Sequence, residues 1–247
     1  MKIALCLSGQ PRVVDIGFSK LRQSILQHNS DVDVFIHTWF DQENLSTNSI
    51  IPGRESHRLD PNAINKLVQY YSPKKIMVEK PKKWTRKYEF PDKVFTHAHT
   101  WALEVPSGLE VAKKYICDTT NSMFYSIMMA NLLKEQYSVE NSIEYDLVIR
   151  NRIDYSPHVV LQLENIMIND DDLMYQDLYQ PDGMISDWFA MGSSNAINTF
   201  CGVYNQIGQL IKQSNEVDGY WCNELLLKHH ISNNNIKIKP IDFQVHY

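Results

Sequence analysis

Arg150, Arg152 and Asp154 stand at alternating positions at the end of the apolar run DLVIRNRID, and no other residues are better placed to do chemistry. Leu147-Val148-Ile149 reads as a core β-strand, whose side chains alternate between two faces. Val148, Arg150, Arg152 and Asp154 therefore share one face, and Leu147, Ile149, Asn151 and Ile153 the other. Buried charges are costly unless paired, and open α/β sheets take their ligands outside the carboxyl ends of the strands. The pattern predicts a phosphate-rich ligand met by arginine, with Asp154 holding a metal ion or a sugar hydroxyl. The plain alternative is an Arg–Asp pair on an edge strand.

Other polar residues fall where they would join such a site. In the first turn, SGQPR, Gly9 permits a tight bend after Ser8. Backbone N–H groups near Gln10 and the start of the next helix would face an anion. Arg12 suits a two-pronged grip on a diphosphate. The turn is neither a P-loop nor G-x-G-x-x-G. His37 lies near the end of a second apolar strand. On a helix over 122–137, Phe124, Ile127, Met128 and Asn131 share one face, which puts the Asn131 amide on an apolar stripe; Tyr125 and Ser126 add polar reach near its start. Asp187, in SDWFAMG, and Glu224, in YWCNELLL, are carboxylates beside aromatic residues, and either could serve as a general base or as favourable charge at a helix end. The Asp170-Asp171-Asp172 run suits a hard cation but precedes a strand, at the end opposite the expected crevice. His97 and His99 would share a strand face and His229-His230 are adjacent on a helix, without carboxylates at zinc-site spacing. No Gly-x-Ser-x-Gly elbow is present.

The elements that must position these residues alternate. Strands are expected at Lys2–Leu7, Asp33–Trp39 and Lys75–Val78, with helices at Ile16–His28 and from Pro61. This β-α-β-α-β order predicts a mostly parallel sheet flanked by helices. Residues 80–120, with Pro81, Pro91 and Pro106, read as a long irregular insertion. The helix at 122–137 and the charged strand follow, then strands at Leu173–Tyr175 and Asp187–Gly192, helices at Asn195–Gln213 and Asn223–His230, and a closing strand at Ile236–Ile241. The expectation is a single α/β, Rossmann-like domain over 1–247, with 1–160 on the ligand side and 161–247 on the acceptor side.

The chain has 247 residues, 43% of them hydrophobic and 21% charged, enough for one sizeable core. A net charge of −5 argues against a general nucleic-acid binder. Cys6, Cys117, Cys201 and Cys222 are scattered, which favours reduced thiols and a cytoplasmic setting. The first apolar run reads as a strand rather than a leader, and no run is long enough to span a membrane. The basic stretch Lys74–Lys87 would be a solvated face, a contact with an acidic acceptor, or a peripheral contact with the inner face of an anionic membrane.

ALCLSGQPR, DVFIHTW, MFYSIMMANLLKEQY and YDLVIRNRID, in this order, resemble a group of bacterial and viral glycosyltransferase-like proteins of the GT-A nucleotide-sugar fold. The resemblance implies a nucleotide-diphosphate-sugar donor bound by Ser8, Gly9, Gln10, Arg12, His37, Tyr125, Ser126, Asn131, Arg150, Arg152 and Asp154. It further implies a glycan or glycolipid acceptor, as in surface polysaccharide synthesis. Asp154 would fill the last position of the family's aspartate-x-aspartate motif, which holds Mn2+ or Mg2+. Arg152 stands where the first acid would be, so arginine would neutralise the diphosphate beside or in place of the metal. Asp187, then Glu224, would be the catalytic carboxylates. The rival readings are a sugar-phosphate nucleotidyltransferase, and a glycan- or partner-binding module stacking on Trp39, Trp101, Trp188 and Trp221.

Overall fold

The computed structural model describes the chain except residues 48–56, 92–108, 158, 167–168, 170, 177–182 and 242–247. A strand β1 (Ile3–Gly9) leads into α1 (Val14–Ser24), β2 (Val32–Trp39), the short β3 (Ser46–Thr47) and β4 (His57–Arg58), α2 (Ala63–Tyr71) and β5 (Lys75–Glu79). The long helix α3 (Leu109–Asn141) precedes β6 (Leu147–Arg152), β7 (Asp172–Gln176) and β8 (Phe189–Gly192). Helices α4 (Ser194–Cys201), α5 (Ile207–Val217) and α6 (Asn223–Asn233) and strand β9 (Lys237–Ile241) complete it.

Seven strands form one sheet in the order β5-β2-β1-β6-β8-β7-β9. The strands β5, β2, β1 and β6 are mutually parallel, while β8 runs antiparallel to both β6 and β7. This is the mostly parallel α/β sheet that the alternating pattern predicts. β6 sits in the middle of it, so the edge-strand alternative for the charged segment is excluded.

Strand alternation divides the core. Ile3, Leu5, Leu7, Ile36, Leu147, Ile149 and Phe189 face α1 and α2. Ala4, Cys6, Phe35, Val148 and Ala190 face the layer of α3 to α6. Ser8, Arg150 and Arg152 continue the second series toward the sheet's carboxyl rim.

Two expectations need correction. The irregular stretch 80–120 ends in helix, because α3 starts at Leu109. Ala112 and Ile116, one turn apart, are buried against the core, and Thr119 returns its hydroxyl to the carbonyls of Tyr115 and Ile116. Pro81, Pro91 and Pro106 and the weak periodicity upstream disguised these turns. The helix expected over Asn195–Gln213 is interrupted at Gly202–Gln206 by a tighter 3₁₀ turn.

Candidate active site

The chain passes from β1 to β2 on one side and returns to β6 on the other, so the strand order reverses between β1 and β6. Ligands of open α/β sheets bind at such a switch point. Three hydrogen bonds and one close backbone approach tie the rim together there. The Ile153 N–H donates to the Ser8 carbonyl at 3.1 Å. Asn151 donates its amide to the carbonyls of Arg152 and Tyr155 at 2.7 and 2.8 Å, locking the turn that carries Asp154. Gly17 of α1 lies so close to this turn that a Cβ there would come within 2.4 Å of the Ile153 carbonyl.

The loop after β1 is held in an unusual shape. Gly9 has φ +114° and Val13 φ +41°, the latter a strained conformation for a β-branched residue. Between them the Arg12 N–H donates to the Gln10 carbonyl at 2.8 Å, and Gln10 is partly buried. The Gly9 N–H donates to Ser126 Oγ at 3.0 Å, and Thr38 donates to the Gly9 carbonyl at 2.9 Å. Ser126 Oγ lies 2.8 Å from His37 Nδ1, and His37 Nε2 lies 2.9 Å from Glu79. Burial holds His37 below its ordinary pKa, so the ring is neutral at neutral pH. A carboxylate only accepts, which puts the proton on Nε2 and makes Ser126 the donor to Nδ1. Lys82 pairs with Glu79 at 2.6 Å and donates to the Tyr125 hydroxyl at 2.7 Å. The polar atoms of His37, Tyr125 and Ser126 are thus bonded within the protein, and they shape the loop.

The charged residues meet beside it. Arg150 is 1% exposed; its Nη2 donates to Ser8 Oγ at 3.4 Å, and its Nε and Nη1 have no hydrogen-bond partner. Burial pulls this guanidinium down to about 10, against the pull of Asp187, so it is cationic at neutral pH. Arg152 grips both oxygens of Asp154 at 2.9 and 2.9 Å, and Arg12 Nε stands 3.9 Å from the same carboxylate. The Arg152 guanidinium also lies over the Trp188 ring at 5.1 Å.

Asp187 is 5% exposed and lies in the loop before β8, not within the strand. The antiparallel pairing of β8 with β6 carries that loop to the rim: the Arg152 N–H donates to the Trp188 carbonyl at 3.2 Å. Burial raises the Asp187 carboxyl, opposed by Arg150 and Arg152. Glu224, in the first turn of α6, is pushed up to about 7 by burial and by the neighbouring Asp187 charge. The Ile185 N–H donates to the Glu224 carbonyl at 3.3 Å, joining the two segments. The structure therefore gathers Ser8, Gly9, Arg12, Arg150, Arg152, Asp154, Asp187 and Glu224.

It does not bring Asn131 to this place. Asn131 lies five residues beyond Ser126, roughly 7.5 Å deeper along the helix, and donates to Asn198 of α4 at 2.8 Å. Lys134 donates to the same oxygen at 3.0 Å. The expected metal ligand, Asp154, is engaged by arginine. Both Asp154 oxygens are taken by Arg152, and no group of three or more His, Cys, Asp or Glu that could hold a metal occurs among the described residues.

Asp172 is bound by Lys239 and Asn169, at the foot of β7, away from the carboxyl rim. Asp170, His97, His99 and Trp101 lie outside the described residues. Trp39 and Trp221 are buried and offer no stacking surface, whereas Trp188 is 38% exposed. All four cysteines are free and buried. Lys74, Lys75, Lys80 and Lys82 of the basic stretch each pair with a carboxylate. No described helix is long and apolar enough to cross a membrane. A groove of about 430 Å³ between Lys87–Glu89 and α5 lies apart from the charged rim. Sequence reasoning missed the roles of Asn151 and Gly17; a glycine inside a helical pattern was the signal for the second.

No family model matches the chain, and no curated protein matches it. Solved structures with a distant likeness include the apo form of the glycosyltransferase GlyE of Streptococcus pneumoniae TIGR4, at 8% identity and TM-score 0.40, over 98% of this chain and 46% of that one. A second GlyE structure matches at 10% identity and TM-score 0.41, with the same coverage. Mouse xyloside xylosyltransferase 1, also in its apo form, matches at 8% identity and TM-score 0.41, over 98% of this chain and 84% of that one. The chain spans about half the length of the GlyE chain.

Proposed function

We propose that this chain transfers a glycosyl group from a nucleotide-diphosphate sugar to a hydroxyl of a glycan or glycolipid acceptor. One observation carries the reading: at the switch point of the sheet, buried Arg150 has two guanidinium nitrogens without hydrogen-bond partners, beside Arg12, Arg152 and a pair of carboxyl groups. A buried donor left unsatisfied is costly, and arginine is suited to phosphate oxygens.

In this reading the acceptor oxygen attacks the anomeric carbon while the bond from that carbon to the diphosphate breaks. The diphosphate leaves with the electron pair, and guanidiniums stabilise the charge it gains. The acceptor proton passes to Asp187, a base of the kind that contributes about 10²–10⁴-fold. Glu224 tunes it as a neighbouring acid. Trp188, half exposed beside Arg152, supplies a flat apolar face for a sugar or base ring.

The test is a thermal-shift panel of nucleotide sugars followed by assay of nucleoside diphosphate release with and without oligosaccharide acceptors. Stabilisation by one donor and acceptor-dependent release of its nucleotide are expected. Pyrophosphate release from a nucleoside triphosphate and a sugar phosphate, without the first result, would establish the nucleotidyltransferase instead.

A further inference from the structure

We propose that Asp154 is an internal stand-in for the ligand: it occupies Arg152 until a diphosphate displaces it, so donor binding needs no divalent cation. The inference rests on the glycosyl-transfer reading and specifies how that site takes its donor.

The geometry of the pair is the starting point. Arg152 Nε and Nη2 each donate to a different oxygen of Asp154 at 2.9 Å, the two-pronged arrangement that arginine also makes with phosphate. A second cation, Arg12, approaches the same carboxylate at 3.9 Å, and its Nε has no hydrogen-bond partner. A dication bound to Asp154 at the usual oxygen distance of about 2.0–2.6 Å would face two guanidiniums. It would also have to displace Arg152 from the carboxylate, leaving that guanidinium partly buried without its counter-ion. An incoming diphosphate does the reverse, bringing acceptor oxygens to both arginines.

The pair is also accessible. The side chains of Arg152 and Arg12 are 29% and 37% exposed, while that of Asp154 is 15% exposed. Arg152 rests over Trp188, which is itself 38% exposed, and the stacking gives the guanidinium a second support when the carboxylate lets go. Behind it Arg150 is fixed by β6 and Ser8. Three guanidiniums therefore stand against Asp154, Asp187 and Glu224. Of the three carboxyl groups, Asp154 is held by arginine hydrogen bonds that a phosphate can replace.

The test measures binding of nucleoside diphosphates (uridine, guanosine, cytidine, adenosine and thymidine) by calorimetry, in EDTA and separately in Mn2+ or Mg2+. At least one is expected to bind in EDTA with an affinity within about threefold of that with metal. Asp154→Asn, which removes the competing charge but keeps the shape, is expected to bind that nucleotide at least as tightly in EDTA, and Arg152→Gln at least tenfold more weakly. Binding only with metal, or weaker binding in EDTA by Asp154→Asn, overturns the inference and leaves the donor reading standing. No binding by any diphosphate in either condition overturns both. The wild-type comparison decides the metal question even if a variant fails to fold.

Discussion

The backbone N–H of Arg152 donates to the carbonyl of Trp188 at 3.2 Å, joining the end of β6 to the segment that leads into β8. Because β8 runs antiparallel to β6, the residues before β8 arrive where β6 ends. Asp187 thereby joins Arg150 and Arg152. Had β8 been parallel, its leading loop would lie at the opposite rim.

Replacing Asp187 with Asn should lower the transfer rate by at least about 100-fold, the lower range for loss of a general base. Donor affinity should change by less than about threefold, since the proposed grip on the diphosphate is arginine's. Single-turnover rates and calorimetry on the same preparation check both parts. A rate close to wild type removes Asp187 from the chemistry.

The raised Glu224 carboxyl sets a pH dependence. Its proton is held to about 7 in the folded chain, so Asp187 has a neutral neighbour below that pH and an anionic one above. The transfer rate should rise with pH through a limb centred near 7, and Glu224→Gln should abolish that limb. For stability the sign is the reverse. Between the ordinary 4.5 and about 7 the folded chain binds more protons than the unfolded one, so this group's contribution falls as pH rises. A pH–rate profile of wild type and variant measures the first effect.

Two buried imidazoles act in the other direction. Burial depresses both His37 and His230 below the ordinary 6.5, against Glu79 and the Thr199 carbonyl respectively. As pH falls below about 6.5, the unfolded chain takes up protons that the folded one refuses, so stability is lost. Urea melts across this range should show the acid-side slope, and His37→Gln should reduce it. An unchanged slope would mean that His37 is not held neutral.

Close packing at the rim gives a prediction that does not depend on function. A methyl group at Gly17 would meet the Ile153 carbonyl at 2.4 Å, with backbone on both sides. Gly17→Ala should therefore destabilise the fold by about 1–3 kcal/mol, the usual range for overpacking. Chemical denaturation checks it. Stability equal to that of the wild type would mean that α1 moves away from the turn at no cost.

Much of this arrangement could be read from residue order. Alternation in DLVIRNRID placed Arg150 and Arg152 on one face of a central strand, and the Ser8-Gly9 turn placed a loop at the same rim. Less legible was the partner of each charge. Spacing places Arg152 and Asp154 on one face but does not tell a bonded pair from two separate ligands to a substrate. That depends on the turn Asn151 locks. The commitment of Asn131 to Asn198 and of His37 to Glu79 arises from elements far apart in the chain, which no local pattern encodes. The first turns of α3 were hidden for a local reason, because they follow a proline-punctuated stretch with little periodicity.

The bond from the Gly9 amide to Ser126 links residues 117 positions apart, which bears on the order in which the molecule is assembled. During synthesis the loop at Gly9 emerges well before its anchor, which comes shortly ahead of the strand that supplies the arginines. Long-range closures of this kind are slow compared with local helix formation. A ribosome-bound fragment ending before Ser126 would carry the loop without its anchor, and the crevice would take shape only as the second half of the chain docks.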